Sequence, residues 1–228
     1  MGNVNIDANY NLQFADGSGS NTSSSNALIQ AGLPNTRTIF PLDFDTRHTF
    51  KTNFDFHYKD GKKYDGPIIG GKKILENAGC NFIFSAYSGR PYTQNLTATP
   101  DAQSGAATRS AIKGTPNGAN LPAQFNVDIN IDKNFTIKNG NAGAKVKEYR
   151  MRVFLTVTNL LNAANVTSVY RYTGSAYSDG YLSSPFAADQ IRTATNAQSF
   201  VDLYNTRMVN SDRFLLPRLT RIGISVQF

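Results

Sequence analysis

Polar and apolar residues alternate without a slip through NVNIDANYNLQF, residues 3–14. In an extended strand this pattern puts Val4, Ile6, Ala8, Tyr10, Leu12 and Phe14 on one face. Asn3, Asn5, Asp7, Asn9, Asn11 and Gln13 then share the other. The same period returns five times. FKTNFDFHY sets Phe50, Phe54, Phe56 and Tyr58 against Lys51, Asn53, Asp55 and His57. CNFIFSA, a less pure case, sets Cys80, Phe82, Phe84 and Ala86 against Asn81, Ile83 and Ser85. FNVDINIDKNFTI places Phe125, Val127, Ile129 and Ile131 opposite Asn126, Asp128, Asn130 and Asp132. YRMRVFLTVT and TRIGISVQF complete the set, with Tyr149 to Val157 and Ile222 to Phe228 as their apolar rows. The pattern predicts six strands and an all-β fold.

The connections alternate in size. Long loops are expected at residues 15–42, 90–122 and 162–212, and shorter links at KDGKKYDGPIIGGKK and KNGNAGAKVK. Sequential antiparallel strands put the three long loops at one end and the two short links at the other. A soluble sandwich has no reason to sort its loops this way. An outer-membrane barrel does, with long loops outside and short turns in the periplasm. Strands of about ten residues also have the length needed to cross a bilayer at a tilt. Lipid would wet the apolar face and a polar lumen the other, so the expected fold is an antiparallel transmembrane β-barrel segment.

Composition adds little that conflicts. No run of eighteen apolar residues is present, so no transmembrane helix is expected. The start, MGNVNIDANY, shows no basic leader followed by an apolar stretch, and Ile6 stands where myristoylation needs Ser or Thr. The single Cys80 excludes an internal disulfide framework. A formal net charge of +7 raises nucleic acid as a partner. The lysines, however, cluster in the two short links (Lys59, Lys62, Lys63, Lys72 and Lys73; Lys138, Lys145 and Lys147), while the aromatics lie on strands. That separation argues against nucleic acid, which wants both on one surface. Phe44, Tyr58 and Tyr92, near strand ends, are candidates for interfacial girdles.

PLDFDTRHTF (41–50), SGRPYT (88–93), TNLLNAANVTSVYRYTG (158–174), DGYL (179–182) and LPRLTRIGISVQF (216–228) occur in this order. Together they resemble the C-terminal barrel of TonB-dependent outer-membrane receptors, of the large type whose N-terminus carries a carboxypeptidase-regulatory-like module. The resemblance covers residues 1–228 and implies one domain, the last six strands of a 22-stranded barrel. The plug, the TonB box, the signal peptide and the first sixteen strands would lie outside it. The implied role is energy-coupled solute import across the bacterial outer membrane. This chain would supply wall, external loops and an assembly signal at Ile222, Ile224, Val226 and Phe228, read by the barrel-assembly machinery. Its implied partners are outer-membrane lipid, the N-terminal barrel and plug portion, an unknown solute, and TonB only through the absent part. The alternatives are a fragment of another outer-membrane barrel (porin or adhesin), or a soluble β-sandwich glycan-binding module.

Chemistry-bearing motifs are sparse. His48 and His57 stand nine residues apart along one strand, about 30 Å of extended chain, and are not expected to share a metal. Asp43, Asp45, Asp128 and Asp132 lack a recognisable nucleophile or base partner, and no phosphate loop or EF-hand pattern occurs. An enzyme is not expected, and no cofactor. Asn159 and Asn162 in TNLLN suit turn backbone where the strand enters the outer loop, beyond which VTSVYRYTG is expected to continue extended. NAQSFVDLYNTRM predicts a short helix capped by Asn196, with Phe200, Leu203 and Tyr204 as its apolar stripe. Since long outer loops capture ligands in this family, Tyr170, Arg171, Tyr172, Tyr177, Tyr181 and Tyr204 are the ligand-binding candidates.

Overall fold

The computed structural model describes residues 3–21, 23, 26–32, 34, 38–103, 110–139 and 147–227. Six long strands form one antiparallel sheet: β1 (Val4–Leu12), β2 (His48–His57), β3 (Ala78–Tyr87), β4 (Gln124–Asn139), β5 (Lys147–Thr158) and β6 (Leu219–Gln227). Their spatial order is their chain order, each pairing with the next. Among the described residues β1 pairs only with β2 and β6 only with β5, so the sheet is open at both edges. The fold is all-β. Three two-residue ladders trim the connections: Asp16–Gly17 with Phe40–Pro41, Ile68–Ile69 with Lys72–Lys73, and Pro91–Tyr92 with Ala119–Asn120. Among the described residues three α-helices lie in the long loops: α1 (Asn26–Gln30), α2 (Pro185–Thr193) and α3 (Ala197–Met208).

Register makes the sequence alternation two-dimensional. Ile6 faces Phe54, Phe54 faces Phe82, Phe82 faces Ile129 and Ile129 faces Val157, forming one apolar row across five strands. The next rows read Val4, Phe56, Cys80, Ile131, Leu155, Ile222 and Tyr10, Phe50, Ala86, Phe125. A slip of one residue in any pair would turn a whole strand over. The opposite face carries Asp7, Asn53, Ile83 and Asp128 as a comparable row, polar apart from Ile83.

Neither face is covered by a second sheet among the described residues. Ile222 is 77% exposed, Ile224 66% and Ile6 59%. The total accessible surface is 15636 Å² for 24.9 kDa. A compact soluble monomer of that mass exposes about 10000 Å². The exposed apolar rows of the open sheet contribute to that excess. No described helix is long and apolar enough to cross a membrane, which says nothing about strands that cross one.

The buried apolar core sits in the loops. Ala102, Tyr170, Tyr181, Ala187, Tyr204 and Met208 form one buried cluster, with Leu182, Ile191 and Phe200 packed against it. The loop after β5 therefore folds on α2 and α3 as a small cap with its own core.

Candidate functional site

The three long loops share the end of the sheet at Leu12, Tyr87 and Thr158, and they are laced together. The Asn117 amide donates to the Pro41 carbonyl at 2.8 Å, joining the first long loop to the second. The second joins the third where the Asn95 N–H donates to Arg171 O at 3.0 Å and the Gln94 amide to Tyr172 O at 3.1 Å.

The foot of the third loop is set by asparagines. Asn159 and Asn162 both adopt positive φ, 52° each, a region this residue type tolerates. The Asn159 amide donates to Ala163 O at 3.0 Å and to Leu216 O at 3.1 Å, while its Oδ1 accepts from Ala163 N at 2.9 Å. Asn162 Oδ1 accepts from Arg218 N at 3.0 Å. The loop's outgoing and returning limbs are thereby stapled beside β6. Asn165, which the alternation does not single out, takes the place of a strand neighbour for Phe125: it accepts from Phe125 N at 2.8 Å and donates to Phe125 O at 2.6 Å.

Beyond this staple the expected extended continuation is absent. β5 ends at Thr158, and the chain turns at 170–174, where Gly174 N donates to Tyr170 O at 2.8 Å. The reason is burial: Tyr170 turns inward and donates its hydroxyl to Met208 O at 2.9 Å, with the Arg213 guanidinium 3.5 Å from its ring centroid. The predicted helix is present as α3, and the Asn196 side chain accepts from Ser199 N at 2.9 Å as its cap. Tyr204 on its stripe is buried, Phe200 is half-buried and Leu203 stays 64% exposed. α2 carries no comparable signal beyond Ser184 and Pro185 at its start.

The six ligand-binding candidates divide. Tyr170, Tyr181 and Tyr204 are core residues of the cap, at 3%, 4% and 4% exposure, and present no surface to a ligand in this conformation. The Tyr181 and Tyr204 rings stack at 5.6 Å around Asp179, which is 1% exposed. Asp179 accepts from the Tyr204 hydroxyl and from Tyr181 N. Burial first, and then the hydrogen bond to Asp179, hold the Tyr204 hydroxyl protonated far above the usual tyrosine range. Burial, seconded by Asp179, also raises Tyr181. Arg171, Tyr172 and Tyr177 remain exposed on the cap, Tyr177 packed on Phe214 at 5.2 Å.

Below the cap, two cavities open on the polar face. One, of about 350 Å³, is lined by Asn126, Asp128, Thr156, Leu215, Leu219 and Arg221 among others. The second, of about 380 Å³, is lined by Thr46, Tyr87, Arg90, Gln124, Thr167 and again Leu215. Neither was legible from motif spacing, because four strands and three loops contribute.

Nearer the short links the polar face carries a cross-strand network. His57 Nδ1 lies 3.0 Å from Asp55 and its Nε2 3.6 Å from Asp132, while Arg152 Nε sits 3.3 Å from Asp132. The ring reaches two strands across because Gly79 lies beneath it: a Cβ there would fall 2.1 Å from His57 Nε2. Gly223 makes the same room for the Phe154 ring. His48 stands apart at the loop end, bonded to the Tyr10 hydroxyl at 2.8 Å. Among the described residues no three His, Cys, Asp or Glu side chains gather to hold a metal. Cys80 lies on the apolar face, in register with Phe56 and Ile131.

Ile222, Ile224 and Val226 of the expected assembly signal lie exposed on the apolar face of edge strand β6; Phe228 falls outside the described residues, as does Lys145. The side chains of Lys138 and Lys147 do too. Of the girdle candidates, Tyr58 packs on Phe56 at 4.7 Å at the short-link end, while Phe44 and Tyr92 lie at the loop end. The chain matches no family model, no curated protein and no solved structure.

Proposed function

We propose that this chain is a wall section of a bacterial outer-membrane β-barrel, of the kind found at the C-terminus of TonB-dependent receptors. One observation carries the reading: six strands in unbroken order hold one apolar face and one polar face, neither covered by a second sheet among the described residues, with every long loop at one end. A β-sandwich buries its apolar face on a second sheet; lipid is the solvent that this one suits. Ten residues of β2 span about 34 Å, and a tilt of about 40° reduces that to about 26 Å, close to the apolar band of such barrels. The open edges of β1 and β6 would each leave a row of N–H and C=O groups in hydrocarbon, so further strands must pair with them in the membrane. In this reading the remainder of the receptor provides those strands, the plug and the link to TonB. This segment contributes wall, external cap and assembly strand to energy-coupled uptake of a solute, and no catalysis.

Cysteine accessibility on whole cells tests the orientation. In a Cys80→Ala background, Ser23→Cys and Ser175→Cys should react with an impermeant thiol reagent, and Gly61→Cys should react only after the outer membrane is opened. Equal labelling of all three on intact cells, or the reverse pattern, would reject it. Gly140, in the other short link, lies outside the described residues.

A further inference from the structure

We infer that the two cavities beneath the cap form one binding groove for an amphipathic organic anion, held at its acidic ends by Arg90 and Arg221. The cavities share Leu215, which stands between them as an apolar divider. Arg221 lines one and Arg90 the other.

What singles these arginines out among the described residues is that each lines one of the cavities beneath the cap without a side-chain partner, whereas the similarly unpaired Arg150, Arg171 and Arg218 line neither. Arg47 is paired with Asp45, Arg152 with Asp132 and Arg192 with Asp189, while Arg213 stacks on Tyr170. Among the described residues neither Arg90 nor Arg221 has a side-chain hydrogen bond, ion pair or ring contact. The one acid lining either cavity is already engaged: Asp128 Oδ1 accepts from Asn126 Nδ2 and from Asn159 N, both at 2.8 Å. The groove therefore offers two forked cation donors with Leu215 shared between their cavities, and further apolar lining from Leu216, Pro217 and Leu219 on the Arg221 side. Guanidinium groups favour carboxylate and phosphate through paired N–H donors. The cavity of Arg90 holds no acid, so a neutral apolar solute would leave that charge unmet and a cation would be repelled by it. In the other cavity Arg221 stands beside a single carboxylate, Asp128.

The groove lies on the face assigned to the lumen, so its place on an import path rests on the receptor reading. Binding itself does not. The test uses the whole protein reconstituted in lipid nanodiscs and titrated by calorimetry with α,ω-dicarboxylates, from succinate to dodecanedioate. Diols and diamines of the same lengths serve as controls. Dicarboxylates should bind and both control series should not. Arg90→Gln and Arg221→Gln should each weaken binding about tenfold or more, as expected for loss of a charge-assisted contact. Arg192→Gln, on the surface of α2, should leave it unchanged. Leu215→Ala should weaken the longer dicarboxylates more than succinate. Equal binding of diols, or affinity indifferent to both glutamine variants when those variants remain heat-modifiable, would overturn the inference. Fractionation separates the two ideas: binding by a protein that is not in the outer membrane sinks the receptor reading alone, and an outer-membrane protein with no dicarboxylate binding sinks the groove alone.

Discussion

Ile6→Arg, paired with Asp7→Arg one residue along, asks which solvent wets each face. Ile6 belongs to the apolar row that continues through Phe54, Phe82, Ile129 and Val157. It is 59% exposed, so in water an arginine there would displace little packing and change stability by about 0.5 kcal/mol or less. In lipid the same charge costs about 2–4 kcal/mol near the midplane. That is a shift of roughly 30- to several-hundred-fold in the folding equilibrium. Asp7 points to the other face, opposite Asn53, and accepts an exposed hydrogen bond from Asn5 Nδ2 at 3.0 Å. Asp7→Arg should therefore cost about 1 kcal/mol or less. Equilibrium urea unfolding in phospholipid vesicles, followed by heat-modifiable mobility, measures both. A large loss for Ile6→Arg alone is the expected result. Equal small losses would mean that water wets both faces, and a large loss confined to Asp7→Arg would mean that the faces are assigned backwards.

Three further outcomes are expected. Asn159→Ala removes three side-chain hydrogen bonds and retains a positive φ, so it should destabilise the foot of the third loop by about 2–3 kcal/mol, read by hydrogen exchange at Ala163 and Leu216. Gly79→Ala should push the His57 ring off Asp132; made in a His57→Ala background it should cost much less, and a double-mutant cycle that is additive would refute the close approach. Because the folded cap holds the Tyr204 phenol neutral well above its ordinary value of about 10, the cap should keep its full stability below about pH 10 and lose it as alkali ionises the unfolded chain. Tyr204→Phe should flatten that alkaline loss while lowering cap stability by about 1–3 kcal/mol at neutral pH, because Asp179 loses a donor; limited proteolysis between α2 and α3 reads both effects.

Period-two alternation located all six strands, because in a sheet with one apolar and one polar face every residue answers to the face it occupies. The runs at 3–14 and 125–137 are therefore nearly the strands themselves, β1 and β4, to within a few residues. Local backbone preference placed the α3 cap at Asn196 and the positive-φ turns at Asn159 and Asn162, but not the bonds these two make to Leu216 and Arg218 across the foot of the loop. Other features depend on where distant segments meet, and no local pattern encodes that. Tyr170, Tyr181 and Tyr204 look alike in sequence to Tyr172 and Tyr177. Only the folding of α2 and α3 over Asp179 makes the first three a core and leaves the others in solvent. Gly79 reads as a weak strand residue until His57 is seen lying across it. The groove below the cap exists because Leu215, more than fifty residues after Thr158, returns to the foot of the strand it left, and that closure is a property of the tertiary structure alone.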